Sequence, residues 1–327
     1  MSFLRVERVS RIGTSGPIVD RISFTLRQFQ RIAIAGETGS GKSTLLKVIA
    51  GLIQPDEGKI VFQDKQISNL ETLVPGHSDI AYLSQDFELP KFLRVEQVLH
   101  YVSNRTTNES NALYKLCRID HLLKRRTNEV SGGERQRIAI ARLLSTSPTL
   151  LLLDEPFSNL DRVHKVLLRT VIDDIGDQLK ITCMMISHEP DDLLSWPDKI
   201  IILKGGKLIQ RGSPEKLYRQ PRNEYVAGLL GRYTVIDLKD PLFKTTIAGH
   251  DSVGKLFIRP EDVTIHLTGK GVAGTIRKIN YLGGFYDVEV QCGGLWVVSR
   301  QQKLSVALNQ DVFLNFNLPD SNILKYN

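Results

Sequence analysis

Residues 36–43 read Gly-Glu-Thr-Gly-Ser-Gly-Lys-Ser, a glycine-rich run that ends in a lysine and a hydroxyl. Glycines let the backbone curl until its N–H groups converge on phosphate oxygens. In this pattern Lys42 reaches the β- and γ-phosphates of a nucleotide, and the Ser43 hydroxyl ligates Mg²⁺. An apolar run at 31–35 precedes the loop and a helical pattern at 43–50 follows it, which is the context the motif requires. The predicted phosphate-contacting residues are Gly36, Glu37, Thr38, Gly39, Ser40, Gly41, Lys42, Ser43 and Thr44.

A second candidate site is Ser131-Gly132-Gly133-Glu134, which opens a helix predicted over 131–146. Ser131 and Glu134 have the spacing of a capping box, and this role alone explains them as a helix start. The two glycines also leave the helix N-terminus open to a phosphate group. The position of the motif, between the phosphate loop and an acidic strand, favours the phosphate-binding interpretation.

The acidic strand is Leu150–Glu155, four leucines followed by Asp154 and Glu155. Carboxylates at the C-terminal end of a parallel strand lie where α/β sheets bind ligands. We expect Asp154 to hold Mg²⁺ through water and Glu155 to act as the general base on the attacking water. Side chains alternate along a strand, so the two acids point in different directions and can have separate roles.

Two other predicted strands also end in polar residues. His188 follows the apolar run 181–186, and Gln85 follows the run 80–84. If both strands belong to the same parallel sheet, their ends meet at the ligand-binding edge. We expect His188 to contact the γ-phosphate and Gln85 to contact Mg²⁺ or the water.

The order of elements predicts two domains. Residues 1–30 alternate like antiparallel strands around a turn at 13–17, and strands alternate with helices from 31 to 186, which predicts an α/β fold with a mainly parallel sheet. Residues 92–130 have a mainly helical pattern, and residues 200–211 a hairpin pattern. After about residue 233 helical patterns end and short β runs separated by glycines predict a small all-β barrel. The predicted domains are 1–232 and 233–327.

Composition excludes several classes of protein. The chain of 327 residues is 41% hydrophobic and 24% charged, as in an ordinary globular protein. The net charge is +7, but no run of five like charges occurs, so we expect a solvated surface and no nucleic-acid partner. Three distant cysteines indicate neither disulfides nor a metal site and favour a reducing compartment. We expect no secretory signal and no stretch of the ~20 apolar residues that span a bilayer.

Together these motifs resemble those of the ATP-binding cassette (ABC) ATPases. Gly36–Ser43 resembles the Walker A loop of that family, Gln85 its Q-loop, 130–134 its signature, and Leu150–Glu155 its Walker B strand. His188 resembles the switch histidine, and 158–161, which ends in Asp161, resembles the D-loop. Ile12 stands where the family has an aromatic residue that stacks on adenine. Smaller departures from the family pattern are Val130, Glu134, Ser187 and Glu189.

Residues 217–231 and 258–263 resemble the end of the cassette and the start of the C-terminal OB-like barrel in bacterial importer ATPases. The resemblance implies an ATPase that requires ATP and Mg²⁺ and works as a head-to-tail homodimer. In that dimer each nucleotide lies between Walker A of one subunit and Ser131–Gly133 of the other. The resemblance also implies a transmembrane permease docked near Gln85–Leu93, a separate solute-binding protein, and a peripheral position on the cytoplasmic face of the cell membrane.

Three other functions share part of these motifs. An ABC ATPase that acts on nucleic acid would use the positive charge, but that group has a long coiled-coil insertion between loop and signature, for which the interval here is too short. An ordinary P-loop kinase has no need of Ser131–Glu134. An exporter ATPase differs from the importer prediction only through the C-terminal barrel.

Overall fold

The computed structural model describes residues 2–67, 75–158, 160–237, 239–244, 255–317 and 323–324. The chain forms two compact units, Met1–Pro214 and Glu215–Asn327. The domain boundary expected from the sequence, between residues 232 and 233, stays a prediction. Asn159, in the segment that resembles the D-loop, lies outside the described residues.

The first unit contains an antiparallel sheet with the strand order β2-β1-β4-β5. Its strands are β1 (Leu4–Gly13), β2 (Gly16–Leu26), β4 (Glu57–Phe62) and β5 (Lys65–Gln66). The first two strands form the hairpin predicted from the turn at 13–17, with Gly13 paired to Gly16.

The central sheet of the first unit has the order β10-β9-β3-β8-β7-β6. Its strands are β3 (Arg31–Ala35), β6 (Ile80–Leu83), β7 (Leu150–Asp154), β8 (Thr182–Ile186), β9 (Lys199–Lys204) and β10 (Lys207–Gly212). All neighbours are parallel except β9 and β10, which form the predicted antiparallel hairpin. The mainly parallel sheet is therefore confirmed.

Helices cover the central sheet, and side-chain alternation gives the first unit two cores. The helices are α1 (Lys42–Ile49), α2 (Val95–His100), α3 (Thr107–Leu116), α4 (Gly132–Leu144), α5 (Arg162–Gln178) and α6 (Pro190–Ser195). Leu150 and Leu152 pack with α1 and the antiparallel sheet, whereas Leu151 and Leu153 pack with α4 and α5. This alternation requires apolar residues at every position of β7, which explains its four consecutive leucines.

The second unit carries two antiparallel sheets around one core. The three-stranded sheet has the order β11 (Thr234–Asp237), β12 (Lys255–Ile258) and β18 (Ile323–Leu324). The five-stranded sheet has the order β13 (Val263–His266), β17 (Asp311–Phe316), β14 (Val272–Tyr281), β15 (Tyr286–Cys292) and β16 (Leu295–Gln301). The expected all-β fold is present, although a short helix α9 (Pro241–Lys244) and a 3₁₀ turn (Pro260–Asp262) interrupt the strands.

Two short helices, α7 (Pro214–Arg219) and α8 (Glu224–Leu229), precede these strands. The side chain of Arg259, which is fully buried, holds the segment that contains them. Its guanidinium donates hydrogen bonds to the backbone carbonyls of Tyr218, Ala227, Gly231 and Arg232. Burial lowers the pKa of Arg259 to about 10.

Candidate nucleotide-binding site

The phosphate loop connects β3 to α1, as the sequence predicts. Gly39 and Gly41 have φ values of 81° and 91°, which side chains rarely adopt. A Cβ atom on Gly36 would collide with the carbonyl oxygen of Leu203, and one on Gly41 with the carbonyl oxygen of Ile18. Close backbone neighbours therefore require glycine at both positions.

Lys42, the first residue of α1, is directed into this loop. Its ammonium donates to the carbonyl oxygens of Gly36 and Glu37, each at 2.8 Å, and the residue is only 7% exposed. Burial lowers the pKa of Lys42, and the carboxylates of Glu155 and Asp154 oppose that shift. The ammonium thus has acceptors in the loop itself, and phosphate oxygens can replace them when a nucleotide binds.

Ser43 and Asp154 meet although they are far apart in sequence. The Ser43 hydroxyl donates to Oδ1 of Asp154 at 3.0 Å, and Asp154 is 3% exposed. A hydroxyl and a carboxylate are oxygen ligands that suit Mg²⁺, which usually retains several waters and takes its remaining ligands from substrate phosphates. Among the described residues, no group of three or more His, Cys, Asp or Glu side chains could hold a metal ion. The Ser43–Asp154 pair is therefore the best fit to the predicted Mg²⁺ ligands.

Tyr82 is a site residue that the sequence analysis missed. Its hydroxyl donates to Oδ2 of Asp154 at 2.8 Å, so both carboxylate oxygens are held. Burial raises the pKa of Tyr82, and the carboxylate of Asp154 raises it further, so the phenol stays protonated and remains a donor. The parallel register pairs Tyr82 with Leu152, two residues before Asp154 and on the same face of the sheet. A tyrosine within the otherwise apolar run 80–83 was the available signal, but its partner depends on which strands are neighbours.

Glu155 follows β7 directly and has a left-handed backbone, with φ of 48°. Its side chain is 21% exposed, and Oε2 lies 3.6 Å from Nδ1 of His188. On the other side of the ring, Nε2 of His188 lies 3.5 Å from Oε1 of Glu189. Gln85 lines the same cleft as Glu155 and His188. The structure therefore brings together the three polar strand ends that the sequence singled out.

The start of α4 is the predicted capping box. The N–H of Glu134 donates to the Ser131 hydroxyl at 3.3 Å, and the N–H of Ser131 donates to the Glu134 carboxylate at 2.7 Å. The hydrogen bond from the Ser131 backbone is the main reason why the pKa of Glu134 is lowered.

The two glycines of this motif differ in their surroundings, and their contact with a phosphate stays a prediction. A Cβ atom on Gly133 would lie 2.7 Å from Cδ2 of His164, whereas one on Gly132 would have no atom within 4 Å. Gly133 therefore permits α5 to pack against α4, whereas the side of Gly132 where a Cβ atom would stand is open.

Asp161 caps the N-terminus of α5. One carboxylate oxygen accepts the N–H of His164 at 3.0 Å, and the other lies 2.6 Å from Nδ1 of the same residue. These contacts with His164 lower the pKa of Asp161, the backbone hydrogen bond most. Asp161 thus has a structural role within the chain, and a contact to nucleotide stays a prediction.

Ile12 lies on the β1–β2 hairpin and is 57% exposed. Its N–H donates to Asp56 at 2.6 Å, which fixes the backbone of this edge. Ile18, in the same hairpin, is also exposed, and its carbonyl lies against Gly41 of the phosphate loop. An exposed apolar surface therefore adjoins the loop, on the hairpin where the adenine contact is predicted.

A glycine loop between a parallel strand and a helix, with carboxylates at the end of a neighbouring strand, defines a P-loop nucleoside triphosphatase. Comparison with known proteins narrows this class. A model of the ABC transporter family matches residues 19–158, and a model of the TOBE domain matches residues 256–321.

Several curated proteins are similar over most of their length. The glucose import ATP-binding protein GlcV of Saccharolobus solfataricus is 31% identical over 87% of this chain and 88% of its own. The sulfate/thiosulfate import ATP-binding protein CysA of Synechocystis is 31% identical over 79% of this chain and 76% of its own. The Fe(3+) ions import ATP-binding protein FbpC 2 of Pectobacterium atrosepticum is 31% identical over 86% of each chain.

Solved structures agree in fold. CbiO1 from Clostridium perfringens, described as part of the ABC transporter complex cbiONQ, is 26% identical with a TM-score of 0.60, covering 66% of this chain and 90% of its own. MJ1267, an ATP-binding cassette of an ABC transporter, has the same TM-score at 22% identity and covers 70% of this chain and 98% of its own. At this identity the similarity shows the fold alone. This chain belongs to the family of ABC transporter ATP-binding proteins and is an ATPase with a cassette and a TOBE domain.

Proposed function

We propose that this protein hydrolyses ATP to drive the import of a solute through a separate membrane permease. The observation that carries the proposal is the Ser43–Asp154 hydrogen bond beside the phosphate loop, with the Glu155 carboxylate next along the chain and 3.6 Å from His188. Phosphoryl transfer to water needs groups of these kinds beside the phosphates. The similarity to import ATP-binding proteins over most of their length supports the direction of transport. This similarity does not favour the two alternatives, which are an exporter ATPase and an ATPase that acts on nucleic acid.

Nucleotide binding begins at the loop. Backbone N–H groups of 36–43 and the N-terminus of α1 surround the phosphates, and Lys42 exchanges its two loop carbonyls for β- and γ-phosphate oxygens. Ile12 contacts the adenine through its exposed side chain. An aliphatic contact lacks the ring stacking of an aromatic residue, which contributes about 0.5–1.5 kcal/mol in aromatic pairs.

Residues around Asp154 hold Mg²⁺ and the attacking water. Ser43, Asp154 and Gln85 would hold Mg²⁺, Asp154 through water, and Tyr82 fixes the orientation of the Asp154 carboxylate. Bound Mg²⁺ neutralises charge that develops on the phosphate oxygens. Glu155 accepts a proton from the water as general base, while His188 contacts the γ-phosphate.

Hydrolysis requires a second copy of the chain. Ser131, Gly132 and Gly133 contact the γ-phosphate bound to the other subunit, and no described residue of the same chain stands over Gly132. Glu134 keeps the helix end in place through the capping box. Asp161 lies close to the second nucleotide in this homodimer. Loss of the γ-phosphate removes the contact, so the dimer opens after hydrolysis.

The permease docks on the surface near Gln85–Leu93. A cleft there is lined by Gln85 and the apolar side chains of Phe87 and Leu89. Charged side chains of both signs, Asp86, Glu88, Lys91 and Arg135, line the same cleft. No helix in the described part of the chain is long and apolar enough to cross a membrane. A partner that spans the membrane places this protein peripherally on the cytoplasmic face, and a separate solute-binding protein delivers the solute.

The test combines three substitutions with matched controls. Glu155→Gln should bind ATP and dimerise but lose hydrolysis by about 10²–10⁴-fold, whereas Glu215→Gln, at an exposed position outside the site, should retain it. Lys42→Ala should lose ATP binding, whereas Lys47→Ala, on the same helix, should not. Ser131→Arg should prevent the ATP-dependent dimer and leave nucleotide binding to the monomer intact.

ATP turnover tests Glu155→Gln, nucleotide affinity tests Lys42→Ala, and sedimentation of the ATP-bound protein tests the dimer of Ser131→Arg. Near-normal turnover of Glu155→Gln would remove this residue as the base. A normal dimer of Ser131→Arg would exclude the shared nucleotide site.

A further inference from the structure

A second cavity lies among the helices of the first unit, between α2 and α3. Its volume is about 490 Å³, within the range of small-molecule sites. Polar side chains dominate its lining, and six of them concern its chemistry: His100, Ser103, Arg105, Ser110, Asn111 and Tyr114. None of these six residues belongs to the predicted nucleotide site.

Tyr114 presents a hydroxyl to this cavity. The residue is 8% exposed and packs in the core with Leu113 and Cys117, and its hydroxyl makes no hydrogen bond to any residue that the structure describes. The hydroxyl oxygen itself stays accessible to solvent. A molecule in the cavity can therefore supply an acceptor for this donor.

Arg105 supplies a cation on the same lining. Its Nε donates to the carbonyl oxygen of Leu144 at 3.0 Å, the last residue of α4. Within the described ranges, the other nitrogens of this guanidinium have no hydrogen bond or ion pair. The residue is half-buried and its orientation is fixed by Leu144, so the free edge of the guanidinium can bind a carboxylate or phosphate through two parallel hydrogen bonds.

The remaining polar groups suit hydroxyls beside an anion. The hydroxyls of Ser103 and Ser110 lie 3.4 Å apart, and the Asn111 amide adds both a donor and an acceptor. The lining contains one carboxylate, Glu96, which lies 3.0 Å from the ammonium of Lys124. Glu96 is therefore neutralised by its own partner and does not cancel the charge of Arg105.

We propose that this cavity binds a small hydroxylated organic anion, with its carboxylate or phosphate on Arg105 and an acceptor oxygen on the Tyr114 hydroxyl. Carboxylates and phosphates both offer oxygen acceptors to these two side chains. The volume fits a molecule of the size of a hydroxycarboxylate or a sugar phosphate. Neutral sugars lack the group that Arg105 requires and bind more weakly.

The experiment uses the full chain with excess ADP, which fills the phosphate loop so that added anions do not bind there. Malate and glucose 6-phosphate are titrated by calorimetry, with glucose as the neutral comparison. We expect saturable binding of at least one anion and clearly weaker binding of glucose. Malate alone indicates a carboxylate ligand, glucose 6-phosphate alone a phosphate ligand, and both a shared anion site.

Variants locate the binding. Tyr114→Phe removes only the hydroxyl and should weaken affinity about tenfold, since a hydrogen bond to a charged group is lost. Tyr101→Phe is the matched control, because Tyr101 is 75% exposed and does not line the cavity. Arg105→Gln should abolish binding. If Arg105→Gln fails to fold, the affinity of Tyr114→Phe alone tests whether the anion binds in this cavity.

The proposal is overturned if neither anion binds more tightly than about 10 mM, or if Tyr114→Phe binds as well as Tyr101→Phe. Failure of the nucleotide site is distinguishable, because it appears as loss of ADP binding in the same samples.

Discussion

Glu155 is held in a left-handed backbone conformation, with φ of 48°, although it carries a side chain. That conformation costs a residue with a Cβ atom about 1–2 kcal/mol, and glycine avoids this cost. Elsewhere glycine is about 0.5–1 kcal/mol less favourable than alanine because of its backbone entropy. Glu155→Ala and Glu155→Gly both remove the carboxylate and differ only in the Cβ atom.

The difference between these two variants isolates the backbone strain. The strain relieved is about 1–2 kcal/mol and the entropy cost about 0.5–1 kcal/mol. Glu155→Gly should therefore have a free energy of unfolding up to about 1.5 kcal/mol larger than Glu155→Ala. Urea denaturation of the nucleotide-free protein measures the free energy of unfolding of each variant. Val163, which is 76% exposed on α5, is the control position, and there glycine should be about 1 kcal/mol less stable than alanine.

A glycine variant that is less stable than the alanine variant at both positions would refute the reasoning, because Glu155 would then carry no strain. If the sign reverses only at Glu155, the site stores strain where the proposed base is positioned. Both variants should also lose ATP hydrolysis by about 10²–10⁴-fold, which a turnover assay checks.

Three further outcomes are expected. Tyr82→Phe leaves the buried Asp154 carboxylate with one partner fewer and should lower the free energy of unfolding by about 1–3 kcal/mol, measured by urea denaturation. Gly133→Ala should cost about 1–3 kcal/mol through overlap with His164, and His164→Ala should recover most of it in a double-mutant cycle. All three thiols should resist iodoacetamide at about pH 8 in the native protein and react in urea, because burial raises their pKa values and lowers the thiolate fraction. The raised pKa values are about 12 for Cys117 and Cys183 and about 11 for Cys292.

The sequence predicted the elements of the site because each motif is local. A glycine loop, a capping box and acids at a strand end are recognisable from neighbouring residues alone, and the parallel sheet follows from the alternation of strands and helices. The ends of three strands then meet because parallel strands end at one edge, which explains why Gln85, Glu155 and His188 share a cleft.

Contacts between distant segments could not be predicted in the same way. Tyr82 reaches Asp154 only because β6 and β7 are neighbours in register, and strand order is not written in either segment. The need for glycine at 133 depends on where α5 packs. The left-handed backbone of Glu155 and the cavity beside Tyr114 are likewise products of the assembled chain.

The hydrogen bonds of Arg259 determine which C-terminal fragments of this protein can fold. Its acceptors, on Tyr218, Ala227, Gly231 and Arg232, all precede residue 233, while the guanidinium follows it. A C-terminal fragment that starts at 233 would leave the Arg259 guanidinium without these acceptors, whereas one that starts at 215 keeps every one of them. Expression of the shorter fragment should therefore yield insoluble or protease-sensitive material, and trimming by a protease should spare the stretch from 215 to 232.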